Sequence, residues 1–168
     1  MTTICNMGCG SSQNGTTGSE TMLTKQDEEL VRTSWAEFKK GDVVMDGLHL
    51  YYKFFETNPE AKEFFGFAKE GEVNADNGQF RAHVKNVFDI VGGAVDGMDN
   101  IKEVKEICYD LGYRHKAYGV PSKYFKVVGN SLVYALDRKL NMDSNTKKAW
   151  VRLYSIIESE ATRGMAAA

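Results

Sequence analysis

The sequence has little proline, little cysteine and no long apolar run, and each shortage excludes a class of protein. Its only prolines are Pro59 and Pro121, which leaves room for long uninterrupted helices. Three cysteines, Cys5, Cys9 and Cys108, form an odd set without a CxxC pair, so neither a disulfide framework nor a cysteine zinc site is expected. No apolar stretch approaches the roughly 20 residues that a membrane span requires.

The chain also lacks an excess of charge of either sign. The 21 basic and 23 acidic residues give a formal net charge of -2, and this balance offers no electrostatic reason to expect a nucleic-acid partner. The N-terminal residues have neither the basic start nor the apolar stretch of a secretory signal. Together with the odd set of cysteines, this favours a reducing, cytoplasmic location. The length of 168 residues, of which 42% are hydrophobic, favours one globular domain with a sizeable core.

Residues 1–21 differ in amino-acid composition from the rest of the chain. They hold four Gly and ten Ser, Thr or Asn, with Glu20 as the one charged residue. Such a segment buries too little apolar surface to offset the entropy of ordering. We predict a flexible tail here.

From residue 24 onward, apolar residues recur at helical spacing. Thr24 is expected to cap the first helix, and Asn100 with Glu103 resembles a capping box at the start of a later one. Strand-like alternation and internal repeats are absent, which indicates an all-α fold. The pattern predicts a short helix from Pro59 and a long loop over residues 66–78, with or without a turn of helix. It predicts longer helices over residues 24–40, 43–56, 77–95, 100–115, 121–140 and 144–163.

Two of the three histidines interrupt the apolar faces of different helices. His83 lies within the stripe of residues 77–95, and His115 ends a seam that begins at Ile101. A single buried histidine is usually a hydrogen-bonded core residue. Two that face each other across apolar helices suit a flat apolar macrocycle with a metal at its centre, because neutral imidazole nitrogens bind iron.

A bare zinc site is the alternative metal centre. It requires three or four protein ligands, and Cys108 lies about 10 Å from His115 along one helix, too far to share an ion. His49 does not interrupt an apolar helix face in the way that His83 and His115 do, and we interpret it as a surface or structural residue. The absence of CxxCH excludes the usual cysteine-attached heme.

The chain resembles the globins over about residues 22–164, which leaves 165–168 as a short C-terminal tail. The residues that carry the resemblance are Trp35, "FFETNPEAKEFF" with Phe65, "FRAHVKNV", "LGYRHKAYGV", Phe125 and "AWVRLY". The residues around His115, and its separation of 32 residues from His83, are most similar to those of the neuroglobin and globin X branch. The resemblance implies a globin fold, with seven or eight helices in a three-over-three sandwich around a heme pocket.

The resemblance also implies a set of heme-contacting residues. His115 matches the proximal iron ligand and His83 the distal histidine. Phe65 is expected on the heme face, and the remaining pocket residues are Tyr51 and Val87 on the distal side and Val120 and Phe125 on the proximal side. Leu111 and Tyr154 are weaker candidates, for which plain core packing is the favoured interpretation.

Two positions depart from the family pattern. Asn86 stands where many relatives have a lysine for a heme propionate, so the alternative propionate partners are Arg81, Lys85, Arg114 and Lys116. Tyr51 stands where a Phe is common in the neuroglobin type, and its hydroxyl is a donor either for bound oxygen or for His83.

The function implied by the resemblance is noncovalent binding of heme b with reversible binding of O2, CO or NO. Iron with both histidines as ligands would favour electron transfer or redox signalling, with a reductase as partner, over oxygen transport. Catalysis is not expected, although NO dioxygenase, nitrite reductase and peroxidase-like side reactions are open to any such heme. The alternative is a heme-free globin-like sensor or helical interaction module.

The segment "MGCGSS", residues 7–12, matches an N-myristoylation pattern. The match requires translation to start at Met7, so that Gly8 is terminal, and Cys9 would then be a palmitoylation candidate. Two acyl chains would anchor the protein peripherally at the inner face of the plasma membrane. An unmodified polar tail is the alternative.

Overall fold

The computed structural model describes residues 22–70 and 72–167, and within them the fold is all-helical, as predicted. The expected tail, with Gly8 and Cys9, lies outside these residues. Helices α1, α4 and α5 pack across α2, α6 and α7 in a three-over-three sandwich. The helices are α1 (Lys25–Phe38), α2 (Val43–Thr57), α3 (Gly66–Glu70), α4 (Gly78–Asp96), α5 (Ile101–Ala117), α6 (Lys123–Leu140) and α7 (Ser144–Ala167), with 3-10 turns at Pro59–Phe64 and Gly97–Asn100.

Helix α1 begins as the sequence predicts. The Thr24 hydroxyl accepts a hydrogen bond from the Asp27 backbone N–H, and the Asp27 carboxylate accepts one from the Thr24 N–H. Arg152 of α7 donates to the same carboxylate over 2.7 Å. The capping box therefore also fastens the first helix to the last.

The structure differs from the predicted elements at three places. The segment after Pro59 is a 3-10 helix. The five-residue helix α3, at the start of the predicted loop, is the turn of helix that the prediction allowed. The predicted capping box at Asn100 is wrong: its side-chain amide donates to the Glu103 carboxylate over 3.0 Å and caps no backbone group. Helix α7 continues to Ala167, because Met165 is still buried against the core.

Stacked aromatic rings fill the interior behind α1. Trp35 and Phe38 stack on Phe88 of α4, with centroids 6.2 and 5.5 Å apart. Trp150 of α7 meets the edge of Trp35, and its indole N–H donates to the Ser34 hydroxyl over 2.9 Å. This cluster joins helices α1, α4 and α7.

Helices α5 and α7 approach each other closely because two glycines lie between them. A Cβ on Gly112 would stand 1.8 Å from the Ala161 carbonyl oxygen, and one on Gly164 would stand 2.0 Å from the Tyr109 carbonyl oxygen. This contact sets the position of the helix that carries His115.

Over residues 22–70 and 72–167, no helix combines the length and the apolarity that a bilayer crossing needs.

Candidate functional site: a cavity between two histidines

A cavity of about 440 Å³ lies between α2, α4, α5, α6 and α7, a volume within the range of cofactor and small-molecule sites. All eight residues that the resemblance places around a heme line it: Tyr51, Phe65, His83, Val87, Leu111, His115, Val120 and Phe125. Tyr154 lines it as well. Among the residues that the structure describes, no Lys, Arg, Asp or Glu lines the cavity, so the space suits an apolar body that presents its charges elsewhere.

His115 lies on the last turn of α5, and its ring is held by the helix itself. Its Nδ1 is 2.8 Å from the carbonyl oxygen of Leu111, one turn earlier. A carbonyl can only accept, so Nδ1 donates this hydrogen bond, and in the neutral form of the ring Nε2 is the nitrogen with the free lone pair. Nε2 makes no hydrogen bond within the described part of the chain. A backbone carbonyl that accepts from the other ring nitrogen is typical of metal-binding histidines.

His83 lies on the edge of the α4 stripe that faces the cavity. Phe80, Val84 and Phe88 are fully buried, whereas His83 and Val87 are half-buried because they border open space. Burial, with His115 as a smaller cause, lowers the pKa of His83 to about 4. The imidazole is therefore neutral at physiological pH, the form that binds a metal.

Tyr51 of α2 contacts His83 directly. Its hydroxyl oxygen is 2.7 Å from His83 Nε2, and its side chain is only 3% exposed. Burial raises the pKa of the phenol well above its ordinary value, so the hydroxyl stays protonated. Tyr51 is thus the polar group nearest to His83 inside the cavity.

Phe125 and Val120 border the cavity on the His115 side. The Phe125 ring meets the His115 ring at a centroid distance of 5.3 Å and a steep angle. The Tyr154 hydroxyl donates to the Phe125 carbonyl over 2.9 Å. This bond agrees with the structural role favoured for Tyr154, since its polar atom is directed at backbone rather than at the cavity.

The cavity opens between α4 and the end of α5. Asn86 is exposed there, and Tyr118 lines the opening with 67% of its surface exposed. Gly119, at a φ of +70°, turns the chain away from α5 just beyond. The candidate propionate partners Arg81, Lys85, Arg114 and Lys116 are exposed and do not line the cavity, and Lys85 pairs with Asp89 over 2.6 Å.

Sequence reasoning missed about half of the lining. Ile90 and Val91 follow Val87 by three and four residues, so helical periodicity from His83 could have found them. Phe67 lies in the segment predicted as a loop, and no sequence signal indicates that its ring lies 5.3 Å from that of His83. The other missed residues are Leu50, Phe54, Phe64, Gly66, Tyr118, Tyr124, Val128, Leu132 and Ile157.

Two residues interpreted as structural lie away from the cavity. His49 packs edge-on against Tyr52, and Cys108 is buried, where burial followed by the charge of Glu160 raises the pKa of its thiol to about 11. Among the described residues, no three His, Cys, Asp or Glu side chains are grouped so as to hold a metal ion.

Comparisons with known proteins agree with the fold. The sequence model described as Globin matches residues 48–161. The neuroglobin of Danio rerio is 31% identical over 149 residues, spanning 86% of this chain and 93% of that protein. The globin polymeric component P2 of Glycera dibranchiata is 30% identical over 145 residues, 85% and 97% of the two chains.

A solved structure has the same fold. The crystal structure at pH 4 of a hexacoordinated heme protein from an anhydrobiotic tardigrade superposes with a TM-score of 0.80 at 21% identity, covering 89% of this chain and 99% of that one. At that identity the likeness bears on the fold alone. The family match, however, covers more than half of the chain and includes both histidines. The chain belongs to the globin family.

Proposed function

We propose that this globin binds heme b noncovalently in the cavity and reversibly binds O2, CO or NO, with His115 and His83 as its axial histidines. Membership of the family implies heme binding. One arrangement supports the assignment to these residues: the imidazoles of His83 on α4 and His115 on α5 border the same apolar space.

The residues present fit the group. The lining is mostly aromatic and aliphatic, as an apolar macrocycle requires. Within residues 22–70 and 72–167, the nitrogen-bearing side chains that line it are those of the two histidines and Asn86. At His115, the proton on Nδ1 is held by the Leu111 carbonyl, which leaves Nε2 as a ligand. The charged propionates would need exposed cationic partners, and Arg81, Arg114 and Lys116 are exposed and make no ion pair within residues 22–70 and 72–167.

Ferrous heme held by one imidazole supplies a further axial position that takes a diatomic gas. His115 would supply that imidazole, and the Leu111 carbonyl would make it a stronger donor by drawing on its N–H. Phe65 and Phe67 would keep water from the distal space. His83 would compete for the same axial position, which lowers the apparent gas affinity by the fraction of open protein. Such competition favours redox or signalling use.

Hemin titration of the purified heme-free chain tests this function. Soret absorbance should rise and saturate at equal molar amounts of hemin and protein. His115→Ala should weaken hemin binding strongly. His49→Ala is the matched control, because His49 does not line the cavity, and should bind hemin as the unmodified chain does. Absence of a Soret band, or a band indifferent to His115→Ala, would support the heme-free helical module instead.

Reduced, gas-free protein tests the role of His83. A six-coordinate component should appear in the visible spectrum and disappear in His83→Val. A five-coordinate spectrum that His83→Val leaves unchanged would contradict iron binding by His83.

We further propose a cytoplasmic location, peripheral attachment to the plasma membrane through acylated Gly8 and Cys9, and electron supply by a reductase. The motif at residues 7–12 supports the acylation. Intact mass of the protein from its native cells tests it. An unacylated chain that begins at Met1 or Thr2 would contradict it.

A further inference from the structure

The bond between Tyr51 and His83 involves the outer nitrogen of the histidine ring. The Tyr51 hydroxyl oxygen lies 2.7 Å from His83 Nε2. Neither group has another hydrogen-bonding partner among the side chains and backbone that the structure describes. The two residues come from different helices, α2 and α4, so the bond depends on how these helices pack.

This bond and a metal cannot use the same nitrogen at the same time. If the phenol donates, it occupies the lone pair of Nε2. If Nε2 donates, that nitrogen carries a proton and has no lone pair to offer. In either tautomer, Nε2 must break its bond to Tyr51 before it binds iron.

We propose that Tyr51 is a positioning residue that holds His83 away from the axial position and so sets how much of the protein is open to a gas. The inference rests on the heme-binding function proposed above and concerns the regulation of that same site. Tyr51 itself touches no iron in this arrangement. Its effect on gas binding passes through His83.

The packing around Tyr51 keeps its hydroxyl in place. The ring centroid of Tyr51 lies 6.0 Å from that of Phe54, 5.7 Å from Phe65 and 5.8 Å from Phe80, each at a steep angle. Rings packed on several sides cannot swing without opening the core. The hydroxyl therefore cannot follow His83 toward the cavity centre, and movement of His83 breaks the bond.

The His83 ring has more freedom than its partner. It contacts Phe65 and Phe67 at 5.4 and 5.3 Å, but its remaining side borders the cavity. Phe67 lies on the five-residue helix α3, which leads into the segment before α4. The bond thus joins a fixed hydroxyl to a ring that has space to move.

The size of the effect follows from the strength of one hydrogen bond. A net contribution typical of proteins corresponds to a roughly two- to tenfold change in the ratio of open to histidine-bound protein. Removing the hydroxyl should therefore shift this ratio toward the histidine-bound form by about that factor.

The test uses Tyr51→Phe, which keeps the ring and removes only the hydroxyl. Tyr52→Phe is the matched control, since Tyr52 is the next residue on α2, is half-buried and does not line the cavity. In reduced, gas-free protein, Tyr51→Phe should raise the ratio of six- to five-coordinate spectra roughly two- to tenfold and lower the apparent CO affinity accordingly. Tyr52→Phe should change neither quantity.

A second readout does not need iron. Ring 15N signals of His83 in the heme-free chain, assigned by their loss in His83→Val, should shift in Tyr51→Phe and stay in place in Tyr52→Phe. An unchanged or lowered six-coordinate ratio in Tyr51→Phe overturns the inference while heme binding stands. Failure of the unmodified chain to bind hemin overturns both the inference and the proposed function.

Discussion

The ring of His115 is fixed by the carbonyl oxygen of Leu111, 2.8 Å from Nδ1 and one turn earlier in the same helix. Both partners belong to α5, so the ring orientation is built into the helix and travels with it. The position of α5 then decides where Nε2 points. That position depends on the contact with α7.

Replacing His115 by Gly should remove the axial ligand and leave a space of its shape. The Leu111 carbonyl would remain as an acceptor. Hemin binding should be weak in His115→Gly and should recover when imidazole is added, because free imidazole can take the same carbonyl bond. Soret titrations with and without imidazole measure this. Equal recovery with an N-methylated imidazole, which lacks the N–H, would argue against a role for the Leu111 carbonyl.

Substituting Gly112 should displace α5 from α7. The new Cβ would meet the Ala161 backbone oxygen, which cannot move aside, and we expect Gly112→Ala to lower the free energy of unfolding by at least about 2 kcal/mol. Hemin should also dissociate faster, because His115 lies on the next turn. Urea denaturation and hemin transfer to an acceptor protein measure the two effects.

Gly93→Ala is the matched control for that substitution. Gly93 is also inside a helix, but a Cβ there meets nothing within 4 Å. Stability should rise by about 0.5–1 kcal/mol, because alanine restricts the unfolded chain more than glycine does. Equal losses in the two variants would contradict the close-packing explanation.

Removing the Ser34 hydroxyl should leave a buried donor without a partner. The Trp150 side chain is almost fully buried and its indole N–H bonds only to Ser34 within the described residues. Ser34→Ala should cost about 1–3 kcal/mol of unfolding free energy. In Ser155→Ala, the lost hydroxyl bonds only to a carbonyl of its own helix, and the cost should be much smaller. Thermal or urea unfolding distinguishes them.

Asp27 should make stability depend on pH in the acid range. Burial alone would raise its pKa, but hydrogen bonds from Thr24 and the ion pair with Arg152 outweigh burial and hold the pKa below its ordinary value of 3.8. A lowered pKa adds stability above the unfolded value, and this stability is lost as the pH falls through the folded value.

The corresponding variant is Asp27→Asn. It should be less stable than the unmodified chain by about 1–3 kcal/mol at pH 7, and the difference should narrow below pH 3.8. Urea unfolding at a series of pH values measures it. Asp99→Asn, which breaks an exposed pair with Arg32, should cost under about 1 kcal/mol. A difference that stays constant down to acid pH would contradict the assignment.

Much of the fold could be predicted from local patterns. Helix α4 was placed within a residue at each end, because its apolar stripe and the Asn77 cap are local signals. The prediction of a capping box at Asn100 is wrong because the local pattern is ambiguous. Asn-x-x-Glu is compatible with a side-chain pair as well as with a backbone cap. The 3-10 turn after Pro59 and the helix α3 are short, and periodicity is weakest over a few residues.

The amino-acid pattern is sufficient for the longer helices, for the two histidines on apolar faces and for the resemblance to globins, because periodicity and short motifs are properties of residues close together in the chain. Three other features depend on how separate helices pack. These are the contact of the Tyr51 hydroxyl with His83, the close approach of α5 to α7, and the contact of Phe67 with His83. The sequence left the Tyr51 hydroxyl with two acceptors. The crossing of α2 and α4 chose His83, because only that packing brings the hydroxyl and Nε2 to 2.7 Å.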